Sequence, residues 1–116
     1  VCGHLENRMV FFTAGESHHD LAVAKVGPEA PDADPNAVGL AHVAFCIGEG
    51  FDDLKRAAED LRSKGVEIVR TADHTASLSI YFHDPDGNMI EFYADVPREK
   101  WAHIPGAIAS YAPLEV

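Results

Sequence analysis

Leu78-Ser79-Ile80-Tyr81-Phe82-His83, Asp84-Pro85-Asp86-Gly87-Asn88 and Met89-Ile90-Glu91-Phe92-Tyr93-Ala94 follow one another without a break. The outer segments alternate with the two-residue period of strands, and the middle one collects tight-turn residues. The stretch reads as a hairpin. Alternation puts Ser79, Tyr81 and His83 on one face of its first strand, opposite Leu78, Ile80 and Phe82. On the second strand Met89, Glu91 and Tyr93 lie opposite Ile90 and Phe92. A carboxylate between apolar neighbours requires a partner when buried, which makes Glu91 a candidate functional residue.

Upstream, Leu40 to Ile47 reads as a strand between Gly39 and Gly48-Glu49-Gly50. Val43, Phe45 and Ile47 share one face, and His42, Ala44 and Cys46 the other. Phe51, Leu54, Ala57, Ala58 and Leu61 then recur at helical spacing. Asp52 and Asp53 fall in the first turn, Arg62 and Lys64 in the last, and Gly65 stops the helix. Val66 to Arg70 reads as the next strand, and Thr71 to Ser77, which holds His74, as a polar loop. The order from residue 39 onward is βαβββ.

Before it, Val1 to Leu5, Met9 to Thr13 and His18 to Ala24 read as three short strands, with His19 on the same face as Leu21 and Val23. Pro28, Pro31 and Pro35 make 26–38 a linker or surface loop. The two βββ parts resemble each other, so the first looks like a repeat without its opening strand and helix. Phe11, Val10 and Leu21 would then leave an apolar face of several hundred Å² for a missing piece of roughly 25–30 residues to cover. A start on Val1 fits the same expectation. The division expected is a single domain over 1–116: a partial first module 1–25, a linker 26–38, a second module 39–96 and a tail 97–116 of irregular structure or one short helix.

The 116 residues suit one domain, and 47% hydrophobic with 24% charged residues is the balance of an ordinary globule. No apolar run approaches the ~20 residues of a membrane-spanning helix. Nineteen Asp and Glu against nine Lys and Arg give a net charge of −10, which argues against nucleic acid as a partner. Cys2 and Cys46 are too few for a disulfide framework, and Val1-Cys2-Gly3-His4 runs into polar residues without a signal-peptide pattern; the expected location is the cytoplasm.

On alternation alone, His19, His42, Tyr81 and Glu91 can all point to one concave surface, where imidazole and carboxylate form part of a two-His-one-carboxylate metal face. Each also has a plainer reading. A strand histidine is usually hydrogen-bonded in the core, His18-His19 suits an exposed strand start, Tyr81 suits packing, and His74 suits a loop surface. The residues by themselves reach a metal site as one option and stop there.

Gly39-Leu40-Ala41-His42-Val43-Ala44-Phe45, the helix ending in Gly65, and Ile80 to Tyr93 resemble the vicinal oxygen chelate superfamily. The resemblance implies an α+β fold of paired βαβββ modules around a divalent-metal cleft. Within it the chain is most similar to the extradiol ring-cleaving dioxygenases, which insert O₂ into catechol-type aromatics at Fe(II), with Mn(II) as the other suitable metal. Carried over residue by residue, the resemblance makes His42 and Glu91 metal ligands that should approach to within roughly 3–4 Å. His19, second of a His-His pair, becomes the acid–base catalyst, and Tyr81, ten residues before Glu91, the substrate-binding tyrosine. His74 matches a further substrate-binding histidine, though its spacing to Tyr81 is shorter than in the larger members. The third ligand would be a second His on a strand outside this chain. The partners implied are a small aromatic diol and O₂, with pairing into a homo-oligomer. The alternatives within the superfamily are a glyoxalase-like metal isomerase or lyase, and a metal-free drug-binding protein of the bleomycin-resistance type.

Overall fold

Leu54, Ala58, Ile80 and Ala94 are wholly excluded from solvent, and they come from three elements that alternation and helical spacing had turned toward one another. A computed structural model of the chain describes residues 1–116. It contains two compact units, Val1–Asp32 and Ala33–Val116, and the chain passes from one to the other in the proline-bearing stretch. No helix is long and apolar enough to cross a membrane.

The second unit runs β4 (Val43–Glu49), α1 (Gly50–Ser63), β5 (Ile68–Asp73), β6 (Ser77–His83) and β7 (Met89–Asp95). Its four strands lie in the order β4-β7-β6-β5, with β4 parallel to β7 and the other pairs antiparallel. Helix α1 buries Leu54, Ala58 and Leu61 against Ile80, Phe82 and Ala94, with Ile47, Ile68, Ile90 and Phe92 around them. One face of the sheet is thereby committed to the helix, and the polar half of each strand is left on the other. The helix start is set by Asp53, whose Oδ2 accepts the Glu49 N–H at 2.8 Å. That contact needs a glycine at 48, where φ is +148° and a Cβ would overlap the Asp53 carboxylate. Gly65, at φ +77°, closes the helix as read from the sequence.

Several boundaries move. The strand expected from Leu40 starts at Val43, which pairs with Ile90; in that register Leu40 and Ala41 fall opposite Gly87 and Asn88 of the turn, ahead of β7. His42 therefore stands just ahead of β4. The strand expected at Val66 starts at Ile68, since the Val66 N–H is used to cap α1 through the Leu61 carbonyl. It also continues to Asp73, so the expected polar loop from Thr71 to Ser77 shrinks to residues 74–76. The tail forms two 3₁₀ turns, Arg98–Lys100 and Ala107–Ala109, then crosses the free edge of β5. Asp73 and Ala112 exchange backbone hydrogen bonds of 2.8 and 2.9 Å, and Thr71 Oγ1 donates to the Leu114 carbonyl at 2.5 Å. An exposed strand edge is covered in this way.

The first unit is an antiparallel meander of β1 (Gly3–Leu5), β2 (Met9–Phe12) and β3 (Leu21–Ala24). The third strand begins three residues later than its alternation suggests. Asp20 accepts hydrogen bonds from the Ala14 N–H (2.9 Å) and Thr13 Oγ1 (3.1 Å), folding 13–20 into a closed loop. Those same donors, the Ala14 N–H first, hold the Asp20 carboxyl below the usual carboxylate range. No residue of this unit is buried.

Candidate active site

On the sheet face away from α1, the register places Arg70, Tyr81, Glu91 and Ala44 in one row across β5, β6, β7 and β4. Ala72, Ser79, Tyr93 and Cys46 form the next row. The alternation that gave Ile80, Phe82, Ile90 and Phe92 to the core therefore delivers the polar groups to the opposite side as a set.

Glu91 is 6% exposed, and its Oε2 lies 3.0 Å from Nε2 of the open-lying His42. A buried carboxylate without a donor is costly, and His42 supplies that donor from the start of β4. One imidazole nitrogen and one carboxylate oxygen thus face the same point. That donor set suits a borderline divalent cation such as Fe(II) or Mn(II). No three His, Cys, Asp or Glu side chains converge in metal-binding geometry.

Tyr81 stands between two imidazoles, with its ring edge-on to His42 at 6.1 Å and to His74 at 6.2 Å. Its hydroxyl is 2.8 Å from His74 Nε2, while His74 Nδ1 is 2.6 Å from the Ser110 carbonyl. A carbonyl only accepts, so Nδ1 carries the proton and Nε2 accepts from Tyr81 Oη. Burial pushes the Tyr81 phenol up from its ordinary value, and the Glu91 carboxylate beside it adds to the rise; Arg70 works the other way. Tyr81 therefore remains a proton donor at neutral pH. His74 is half-buried and fixed at both nitrogens, not a loop-surface residue.

His19 belongs to the first unit. It lies in the loop before β3 rather than on the strand, with its Nδ1 2.7 Å from His18 Nδ1 and its ring edge-on to Phe11 at 5.4 Å. At that distance one of the two nitrogens donates and the other accepts. The structure thus brings together His42, Glu91, Tyr81 and His74. It adds two groups that sequence reading did not single out. The Ser110 carbonyl sits in a tail without periodic pattern, so no signal marked it. Arg70, whose guanidinium carbon lies 4.0 Å from the Tyr81 ring centroid, was read only as the end of a strand.

The profile of the Glyoxalase/Bleomycin resistance protein/Dioxygenase superfamily matches residues 3–92. The chain belongs to this superfamily. Its α+β architecture is a partial version of the vicinal oxygen chelate fold, with one complete βαβββ unit and one three-stranded unit. Among superfamily relatives, the chain is 37% identical over 102 residues to biphenyl-2,3-diol 1,2-dioxygenase 3 of Rhodococcus globerulus and 33% identical over 101 to biphenyl-2,3-diol 1,2-dioxygenase 2 of the same organism. Each match takes in 84% of this chain and 53% of the relative. A third relative, catechol-2,3-dioxygenase of Bacillus subtilis, is 39% identical over 82 residues, 70% of this chain and 28% of that protein. The chain spans about half the length of the first two.

Proposed function

We propose that this chain is part of an extradiol dioxygenase that opens a catechol-type ring with O₂ at an Fe(II) site to which His42 and Glu91 contribute. The observation that carries the reading is the meeting of His42 Nε2 and the buried Glu91 Oε2 at 3.0 Å, on the same face as Tyr81 and His74. The dioxygenase names of relatives matching 84% of the chain support it. A second His from outside residues 1–116 completes the ligand set in this reading. Bound there, the metal would hold diol and O₂ side by side and pass electron density from one to the other.

The protein's own part is binding and proton handling. Glu91, fixed by burial, supplies the one anionic ligand, and His42 a neutral one. Tyr81, whose O–H is donated to His74, accepts at its oxygen from a substrate hydroxyl and orients the ring. His74, held in one tautomer by Ser110, sets the direction of that hydroxyl. His19, in the first unit, keeps in this reading the acid–base role that the resemblance implies.

The deciding experiment is metal analysis of full-length protein purified without oxygen, alongside yellow ring-opened product on adding catechol in air. The reading expects about one iron per site, lost in His42→Ala and Glu91→Gln, and yellow colour only in the parent. Iron or manganese retained by both variants, or no colour from iron-loaded parent, would overturn it.

A further inference from the structure

The four strands β4 to β7 carry a single Lys or Arg among them, Arg70, in a protein of net charge −10. Strict alternation from Ile68, which packs in the core, would turn Arg70 toward the helix as well. A bulge prevents this. The ladder shifts between Ile68 and Arg70, so that Ile68 pairs with Phe82 and Arg70 already pairs with Tyr81. One extra residue switches the phase of the strand and re-aims a side chain to the other face. Arg70 is thereby placed in the row of Tyr81 and Glu91.

Its guanidinium lies over the Tyr81 ring at 4.0 Å and makes no ion pair. Three other cations of this unit are engaged elsewhere: Arg56 pairs with Asp53, Lys64 with Asp60, and Arg62 donates to the Val116 carbonyl. Stacking occupies the flat face of a guanidinium and leaves its N–H donors in the plane at the edge. Those donors form a fork matched to a carboxylate.

We propose that Arg70 determines specificity at this face, binding the carboxylate of an aromatic diol that carries an acidic substituent. The inference rests on the dioxygenase reading for the diol and goes beyond it in the substituent. It also departs from the neutral phenyl group in the names of the biphenyl-diol relatives.

The test is calorimetric binding to anaerobic, iron-loaded full-length protein. The ligands are 3,4-dihydroxybenzoate and 3-(3,4-dihydroxyphenyl)propanoate, each beside its methyl ester, and biphenyl-2,3-diol. At least one acid should bind about ten- to hundredfold more tightly than its ester, the size of a charge-assisted bidentate contact. Arg70→Met, which keeps an apolar stem over Tyr81, should remove that ratio by weakening the acid alone. Arg70→Lys should keep part of it. Equal binding of acid and ester by the parent overturns the proposal without any variant, as does an unchanged ratio in Arg70→Met. Tighter binding of biphenyl-2,3-diol than of either acid overturns it too. In all three cases the diols still bind, and the dioxygenase reading stands. If no diol binds, that reading fails and this one with it.

Discussion

Tyr81 Oη lies 2.8 Å from His74 Nε2, and the opposite nitrogen of the same ring is 2.6 Å from the Ser110 carbonyl. The tail thus reaches the candidate site through one imidazole. Tyr81→Phe removes the donor and leaves a half-buried Nε2 without a partner. Urea unfolding should show a loss of about 1–2 kcal/mol, the cost of an orphaned acceptor less what solvent recovers. In the dioxygenase reading, kcat should fall with the iron content unchanged. An unaltered stability would mean that the His74–Tyr81 contact is not made in solution.

His19 is the residue whose proposed role depends least on metal binding. His19→Ala should leave iron content and fold intact while lowering ring opening by about 10²–10⁴-fold, the usual contribution of an acid–base group. The reading for His19 fails if single-turnover rates under air match those of the parent.

A pH effect follows from the turn of the β6–β7 hairpin. Partial burial acts to raise the Asp84 carboxyl, but hydrogen bonds from the Asn88 side chain and backbone, and from the Asp86 N–H, outweigh it and hold the group below its ordinary value. A carboxyl lowered on folding adds stability above its unfolded pKa of about 3.9, and that stability is lost as pH falls through the folded value. Asp84→Ala should therefore cost about 1–2 kcal/mol at pH 7, as hydrogen bonds to a carboxylate are lost. The gap between variant and parent should narrow as pH drops below about 4. A gap independent of pH down to 2 would show that the charge is not what the turn uses.

How much of this was legible in the sequence depends on what sets each position. The hairpin from Leu78 to Ala94 and helix α1 were readable because burial on one side dictates their periods, and Tyr81 and Glu91 came with them. The start of β4 was not readable, since it is fixed by where β7 begins, 46 residues on from Val43. The β5 bulge was invisible for a related reason. A bulge breaks alternation, so Val66 to Arg70 showed a strand but gave no face for Arg70. His74 looked like a surface residue because its partners, Tyr81 and Ser110, come from another strand and from the tail. His19 kept its strand pattern on paper, but the carboxylate of Asp20 closes the loop around it.

The pairing of His42 with Glu91 makes a prediction independent of any reaction. Glu91 is buried, and His42 is the side chain that faces its carboxylate at hydrogen-bonding distance. Removing the exposed partner alone leaves a buried carboxylate uncompensated, which is worse than removing both. His42→Ala should then destabilise the metal-free protein by about 1–3 kcal/mol, although a surface alanine is otherwise nearly neutral. Adding Glu91→Gln should restore part of that loss, because the amide is uncharged and costs less to bury. Glu91→Gln alone keeps an acceptor for the His42 N–H and should cost less than His42→Ala. The three variants close a double-mutant cycle whose coupling should exceed ~0.5 kcal/mol, as side chains in direct contact show. Strict additivity would mean that the two side chains do not meet in solution, and the proposed metal site would lose its geometric basis before any iron was added.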